Sequence, residues 1–393
     1  MHSVHSLFFS AIKVLLPMKA LSVAFKFWWS GRNILLFYYF CANLLNMRSR
    51  YILFALTWVF FQYSFGQDVA FSQRYVTSPY LNPALTGIFN GSVRVNAQYR
   101  NQWANQLDFG FQSFAASGDI NYDLNLFKST SRDLLGLGIY FVNDRIEGID
   151  FNTNFIALSG AFHKSLNPKN SHYLGFGFQF GVLQKNINYE QTNFGDQFNH
   201  VDAYSFPTNE PVPANNFAVE DLSIGLLHLI NPVRNVELQT GIAFHHLTVP
   251  NVSFFRFSEV YDRNSLIPKF TFHTAASIKT GAYTHVIPRL IVTAQNPFVD
   301  VEMGVNMKMS TFSTEDYVFH GGLGVHIVRD LETVAIASLV PFVGVQVKNL
   351  LLGMSYDIGI NQIYHHTRNF STFEFSVSYL GENENEALFC PRF

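Results

Sequence analysis

From about residue 92 onward, apolar and polar positions alternate along the chain. Val299, Val301, Met303, Val305, Met307 and Met309 are interleaved with Asp300, Glu302, Gly304, Asn306 and Lys308. Phe373, Phe375, Val377 and Tyr379 are interleaved with Thr372, Glu374, Ser376 and Ser378, and Leu174, Phe176, Phe178, Phe180 and Val182 with Gly175, Gly177, Gln179 and Gly181. Residues i and i+2 share a face only on an extended strand, so helical spacing cannot produce this pattern. Fourteen segments carry it, at roughly 92–103, 110–121, 133–145, 151–164, 172–186, 220–230, 235–247, 269–281, 284–295, 299–310, 316–328, 332–347, 350–360 and 370–380. Soluble strands average about 5–6 residues, whereas a tilted strand crossing a bilayer needs about 9–11. Most of these segments are longer than either figure. After Gln67 no stretch approaches 18 consecutive apolar residues, so no transmembrane helix competes with the strand reading. The pattern predicts an all-β fold, a transmembrane outer-membrane antiparallel β-barrel of about fourteen strands over residues 92–380, greasy outside and hydrophilic within.

Lipid offers no hydrogen-bond partners, so a sheet inside it must close on itself. A large soluble sandwich or lipocalin-like barrel would explain the alternation but not the strand lengths. Connection lengths support closure: the two longest, at about 187–219 and 248–268, follow strands five and seven. In barrels with periplasmic termini the loops after odd strands face outward and are the long ones. That places both loops outside the cell, and the segment 67–91 and the tail 381–393 in the periplasm. Asn231-Pro232 reads as one of the tight turns.

Composition sharpens this picture. Of 393 residues, 48% are apolar, 16% aromatic and only 14% charged, with 42 phenylalanines. Such a chain is neither disordered nor composed like an ordinary soluble enzyme. The net charge of −2 leaves no electrostatic case for nucleic acid. Six of the 26 basic residues lie in 1–66, which has no Asp or Glu. Met47-Arg48-Ser49-Arg50, followed by Tyr51 to Phe61, has the plan of a secretory signal over 47–66. Ser64 and Gly66 supply the small residues for cleavage between Gly66 and Gln67. Residues 1–46 then read as an over-extended start or non-native leader, with a membrane-inserted extension as the alternative. The two cysteines, Cys41 and Cys390, exclude a disulfide framework.

Candidate chemistry is sparse. Arg94 and Arg100 share one face of the first strand, and Asp300, Glu302, Lys308, Asp357 and Glu374 fall on polar faces of later ones. An Arg or Lys facing lipid at mid-bilayer costs about 2–4 kcal/mol, so these seven residues are expected to face the lumen, chiefly as ion pairs holding the wall. His245-His246 and His365-His366 tempt a metal reading, but neighbours on a strand face opposite ways and cannot chelate together. No catalytic frame surrounds the serines and histidines. Neither an enzyme nor a metal or cofactor is expected. Trp103 and other aromatic residues at strand ends read as an interfacial girdle.

Two blocks are more specific. The first runs Gln67-Asp68-Val69-Ala70-Phe71-Ser72-Gln73, then Ser78-Pro79-Tyr80-Leu81-Asn82-Pro83-Ala84-Leu85-Thr86-Gly87; the second is Tyr99-Arg100-Asn101-Gln102-Trp103. They closely resemble the opening of the PorP/SprF family of Bacteroidota outer-membrane proteins, with Pro79, Leu81, Asn82, Pro83, Tyr99, Arg100, Gln102 and Trp103 carrying the match. The resemblance extends over essentially all of 67–393. It implies a non-enzymatic barrel of the type IX secretion system that assists export or surface attachment of a secreted adhesin or gliding protein. Its implied partners are outer-membrane lipid and either machine components or a secreted protein with a C-terminal sorting domain. The alternative is a passive channel for small or hydrophobic solutes.

Overall fold

A computed structural model describes residues 68–103, 110–124, 132–201, 203–255, 265–310, 317–329, 334–360 and 371–381. The leader 1–46, the signal 47–66, the Gly66–Gln67 cleavage site, His365-His366 and the tail beyond residue 381 lie outside them. The first seven strands are β1 (Val93–Gln102), β2 (Phe111–Leu124), β3 (Asp133–Ile146), β4 (Phe151–Ser165), β5 (His172–Asn186), β6 (Asn216–Val233) and β7 (Val236–His245). The others are β8 (Lys269–Lys279), β9 (Thr284–Gln295), β10 (Phe298–Ser310), β11 (Tyr317–Arg329), β12 (Val334–Val347), β13 (Leu350–Gly359) and β14 (Ser371–Leu380). Each pairs antiparallel with its sequence neighbours, and β1 pairs with β14 to close the barrel. At that seam Tyr99 stands opposite Phe375 and Arg100 opposite Glu374.

The pleat sorts the side chains. On β5, Leu174, Phe176, Phe178 and Phe180 are exposed on the outer face, while Tyr173, Gln179 and Leu183 are buried within. An outer face of this composition is what a hydrocarbon solvent requires.

Three details depart from the sequence expectation. β6 begins at Asn216 and runs through Asn231-Pro232, so the first long connection is 187–215 and the tight turn is Arg234-Asn235. The β6–β7 register shifts between Ile230 and Val233, the kind of irregularity at which a strand tolerates a proline without an N–H to donate. Connections after odd strands are not uniformly long, since 147–150 and 296–297 are as short as the even turns.

The third departure is the largest. Residues 68–91 do not stand clear of the barrel; they fold inside it as a plug. A four-residue helix α1 (Ser78–Leu81) and a 3-10 turn (Pro83–Leu85) compact the segment, with Pro79 and Pro83 each at the start of its turn, where a missing N–H costs nothing. Asn82 joins the two: its backbone is extended and its Oδ1 accepts from the Ala84 N–H at 2.9 Å. The lumen is accordingly not simply hydrophilic. Phe71 packs with Ala115, Tyr140, Val142 and Phe155, and Leu81, Leu85 and Ile88 with Leu134, Leu227 and Ile291.

Candidate functional site

The plug is held by a slot of small residues and by four polar sockets. The slot is a row across five adjacent strands: Gly136 on β3 pairs with Ala161 on β4, Ala161 with Gly177 on β5, Gly177 with Gly225 on β6, and Gly225 with Ala243 on β7. Asn82 to Gly87 lies along this row. A β-carbon on Gly136 would come within 2.2 Å of Thr86 O, and one on Gly177 within 2.2 Å of Ala84 N. Gly87 itself has φ +76° and faces Gly136 Cα, so neither partner in that contact tolerates a side chain. Main chain meets main chain there.

The first socket lies on β13 and β14. Glu374 accepts from the Ser72 N–H at 2.6 Å and the Gln73 N–H at 3.0 Å, and Asp357 accepts from the Ser72 hydroxyl at 2.5 Å. The Gln73 amide donates to Ser355 at 3.0 Å and accepts from Ser376 at 2.6 Å. Arg100 of β1 lies 3.4 Å from Glu374 and donates to Ala70 O, so the plug straddles the closing seam.

In the second socket Arg74 pairs with Asp300 and donates to Thr293 at 2.9 Å. Glu302 lies 3.6 Å from Arg74 and 3.2 Å from Arg289, whose guanidinium sits 4.3 Å over the Tyr75 ring. The third socket receives Asp68, which pairs with Lys269 and lies 2.7 Å from His246 Nε2; His246 Nδ1 is 3.1 Å from Asp221. Burial opposes charge on Asp68, but His246 and Lys269 outweigh it and hold the carboxyl well below its ordinary value. Burial likewise opposes charge on His246, and Asp68 and Asp221 overcome it, pushing the imidazole up to about 9. In the fourth socket the Gly87 N–H donates to Asp119 at 2.8 Å, and Arg94 grips the same carboxylate at 2.7 Å. Thr86 donates to Ser159 at 2.9 Å, and its carbonyl lies 3.0 Å from His163.

The seven charged residues singled out from the sequence thus all lie on inward faces. Arg94, Arg100, Asp300, Glu302, Asp357 and Glu374 contact the plug or its direct partners, while Lys308 lies further along β10, 6% exposed. Of the motif residues, Pro79, Leu81, Asn82 and Pro83 are plug residues. Tyr99 faces outward, Gln102 ends β1 opposite Thr372, and Trp103 follows at φ +62° with its ring edge-on to Phe111. His245 and His246 are both buried inside, contrary to strict alternation, because His246 has φ +59° and leaves the strand path. Sequence reasoning passed over Asp68, Arg74, Asp119, Lys269 and Arg289. Among the described residues no group of three His, Cys, Asp or Glu could hold a metal ion.

A family model described as type IX secretion system membrane protein PorP/SprF matches residues 63–379. The chain belongs to the PorP/SprF family. As a PorP/SprF member with a closed antiparallel barrel, it is an outer-membrane protein of the type IX secretion system. Solved structures share the barrel fold at low identity. A Pseudomonas aeruginosa FadL homologue matches at 10% identity and TM-score 0.43, over 77% of this chain and 94% of that one. The Ralstonia pickettii toluene transporter TbuX matches at 10% and 0.45, over 78% and 94%, and the translocator domain of autotransporter NalP from Neisseria meningitidis at 13% and 0.34, over 78% and 96%. No curated protein matches the sequence. The family match and the plug, rather than these distant likenesses, carry the functional reading.

Proposed function

We propose that this PorP/SprF barrel is a non-enzymatic docking platform, assisting export or surface attachment of a secreted protein by binding that protein or a component of the secretion machine. The single observation that supports this reading is the plug. A lumen crossed from the β13–β14 wall to the β4–β8 wall by a bonded segment is no conduit for a polypeptide, so cargo is handled outside the lumen. The surface available for this is the long-loop end, where the 187–215 connection emerges. In the first loop Val201, Tyr204 and Phe206 are exposed, and Phe198 and Tyr204 form an isolated antiparallel bridge. Exposed apolar groups on an ordered loop suit a partner contact. In this reading the long loops face outward, the short turns opposite them face the periplasm, and the bound protein carries a C-terminal sorting domain.

Planar-bilayer conductance together with affinity purification tests it. The expected result is a silent barrel that brings down a large secreted protein or a machine component. A steady ion current with no co-purifying protein overturns the proposal in favour of a passive solute channel.

A further inference from the structure

On the outer face of the barrel, near the short-turn end, two histidines meet. His172 opens β5 directly after the turn that follows β4; it stands opposite Ile230 of β6, and Leu174 stands opposite His228. His172 and His228 are therefore diagonal neighbours, a spacing that long and aromatic side chains can bridge. Their Nε2 atoms lie 2.7 Å apart, and the rings meet at 73° with centroids 4.8 Å apart. The pleat puts both on the side that carries the exposed Leu174, Phe176 and Leu226, away from the lumen and the plug. Both are half-buried. This polar level continues onto the next strands, where Thr240, opposite His228, lies 3.1 Å from Thr274. Polar-tipped rings at the end of a lipid-facing strand belong to the membrane–water interface, where dissolved ions reach them. A hydrogen bond between two Nε2 atoms requires one ring to carry its proton there and the other to carry it on Nδ1.

We propose that His172 and His228 form a two-ligand site for a late first-row divalent cation such as zinc, nickel or copper, each ring binding through Nε2. Imidazole suits these ions, whereas magnesium and calcium prefer oxygen ligands. Metal–nitrogen bonds of about 2.0–2.1 Å hold two nitrogens about 2.9–3.3 Å apart at angles from right-angled to tetrahedral. The rings need to part by only about 0.2–0.6 Å, which small side-chain rotations supply. The ring that donated moves its proton from Nε2 to Nδ1 through water, so both Nε2 lone pairs face the ion and no proton is lost. Water fills the remaining coordination positions. Adjacent histidines on one strand face opposite ways, but these two, on neighbouring strands, share a face. The ion ties β5 to β6 outside the lumen. The site is separate from the loop surface of the docking reading and stands or falls without it.

The test uses the full-length protein held in amphipol, stripped of metal with EDTA and titrated with zinc chloride. Diethyl pyrocarbonate acylates a free imidazole nitrogen and spares one bound to metal, and peptide mass spectrometry reads each histidine separately. Zinc should protect His172 and His228 together, with a single midpoint, at concentrations that leave the exposed loop residue His200 reactive. Magnesium at the same concentrations should protect neither. His228→Gln should raise the midpoint for His172 by about tenfold or more, because the second ligand no longer acts at high effective concentration, and His172→Gln should do the same for His228. No protection, separate midpoints for the two rings, equal protection by magnesium, or an unshifted midpoint in either variant overturns the proposal. If a variant fails to fold, the zinc and magnesium series on the unaltered protein decides the matter alone.

Discussion

Asn82 occupies the space that a β-carbon on Gly225 would need: built onto that glycine, the atom would lie 1.9 Å from Asn82 Oδ1. The same side chain donates through Nδ2 to Leu226 O at 3.1 Å and lies 3.0 Å from His273 Nε2, so one plug residue is fitted to β6 and β8 together. Plug and wall are complementary in shape before any charge is considered.

Gly225→Leu should therefore dislodge the plug. The overpacking is expected to cost about 1–3 kcal/mol and to turn a silent barrel into a conducting one. Bilayer current and protease cleavage within 68–91 are the readouts. Gly321→Leu is the control, because a β-carbon there meets nothing within 4 Å.

Arg100→Ala leaves Glu374, 1% exposed, without the cation beside it. Breaking a buried pair costs about 3–5 kcal/mol, which should appear as a lower temperature for the heat-modifiable mobility shift. Adding Glu374→Gln should recover much of the loss, since the orphaned charge is then gone. Partner recovery should be preserved in both variants. Lost recovery with an unchanged transition would assign Arg100 to the partner instead.

The third socket makes plug retention sensitive to pH. The folded-state value of His246, about 9, exceeds the ordinary 6.5. Its stabilisation is thus complete below about 6.5 and is lost as pH rises through about 9, an amount on the order of 3 kcal/mol. Asp68, shifted the other way, contributes above its ordinary 3.8 and loses that contribution as pH falls below it. Protease protection of 68–91 should be greatest between about pH 4 and pH 6.5 and decline toward pH 9. His246→Gln should abolish the alkaline part of the decline.

On the long-loop end, replacing Tyr204 and Phe206 together by Ser should leave the thermal transition within about 0.5 kcal/mol of its original stability, because both side chains are exposed. Co-purification of the partner should fall sharply. Full recovery from this variant would remove the 187–215 loop from the contact surface.

The barrel was legible because alternation over ten or more residues has one physical source, and most strands begin and end within a few residues of where the pattern places them. β6 runs beyond the expected C-terminal end because Asn231-Pro232 reads as a turn whereas here it continues a strand. The plug was not legible: 68–91 has no period of its own, and its structure is imposed by the wall. One signal was nevertheless present. Gly175, Gly177 and Gly181 fall on the inner face of β5, where a water-filled lumen would favour longer polar side chains. Small residues inside a cylinder imply that something else fills the room. The charged residues were found from the cost of exposing them to lipid, but that rule could not say whom they meet.

The first socket has a consequence for how the molecule is made. Ser72 and Gln73 are bonded to Glu374 on the last strand, and Ala70 to Arg100 on the first, so the stitch between the two ends of the sheet includes a third thread. A thread in position when the final strand arrives ties both edges of the sheet at once. Placement of the plug and closure of the seam are then coupled, and a copy that misplaced its amino-terminal segment would have a weakened lateral join as well as an open bore.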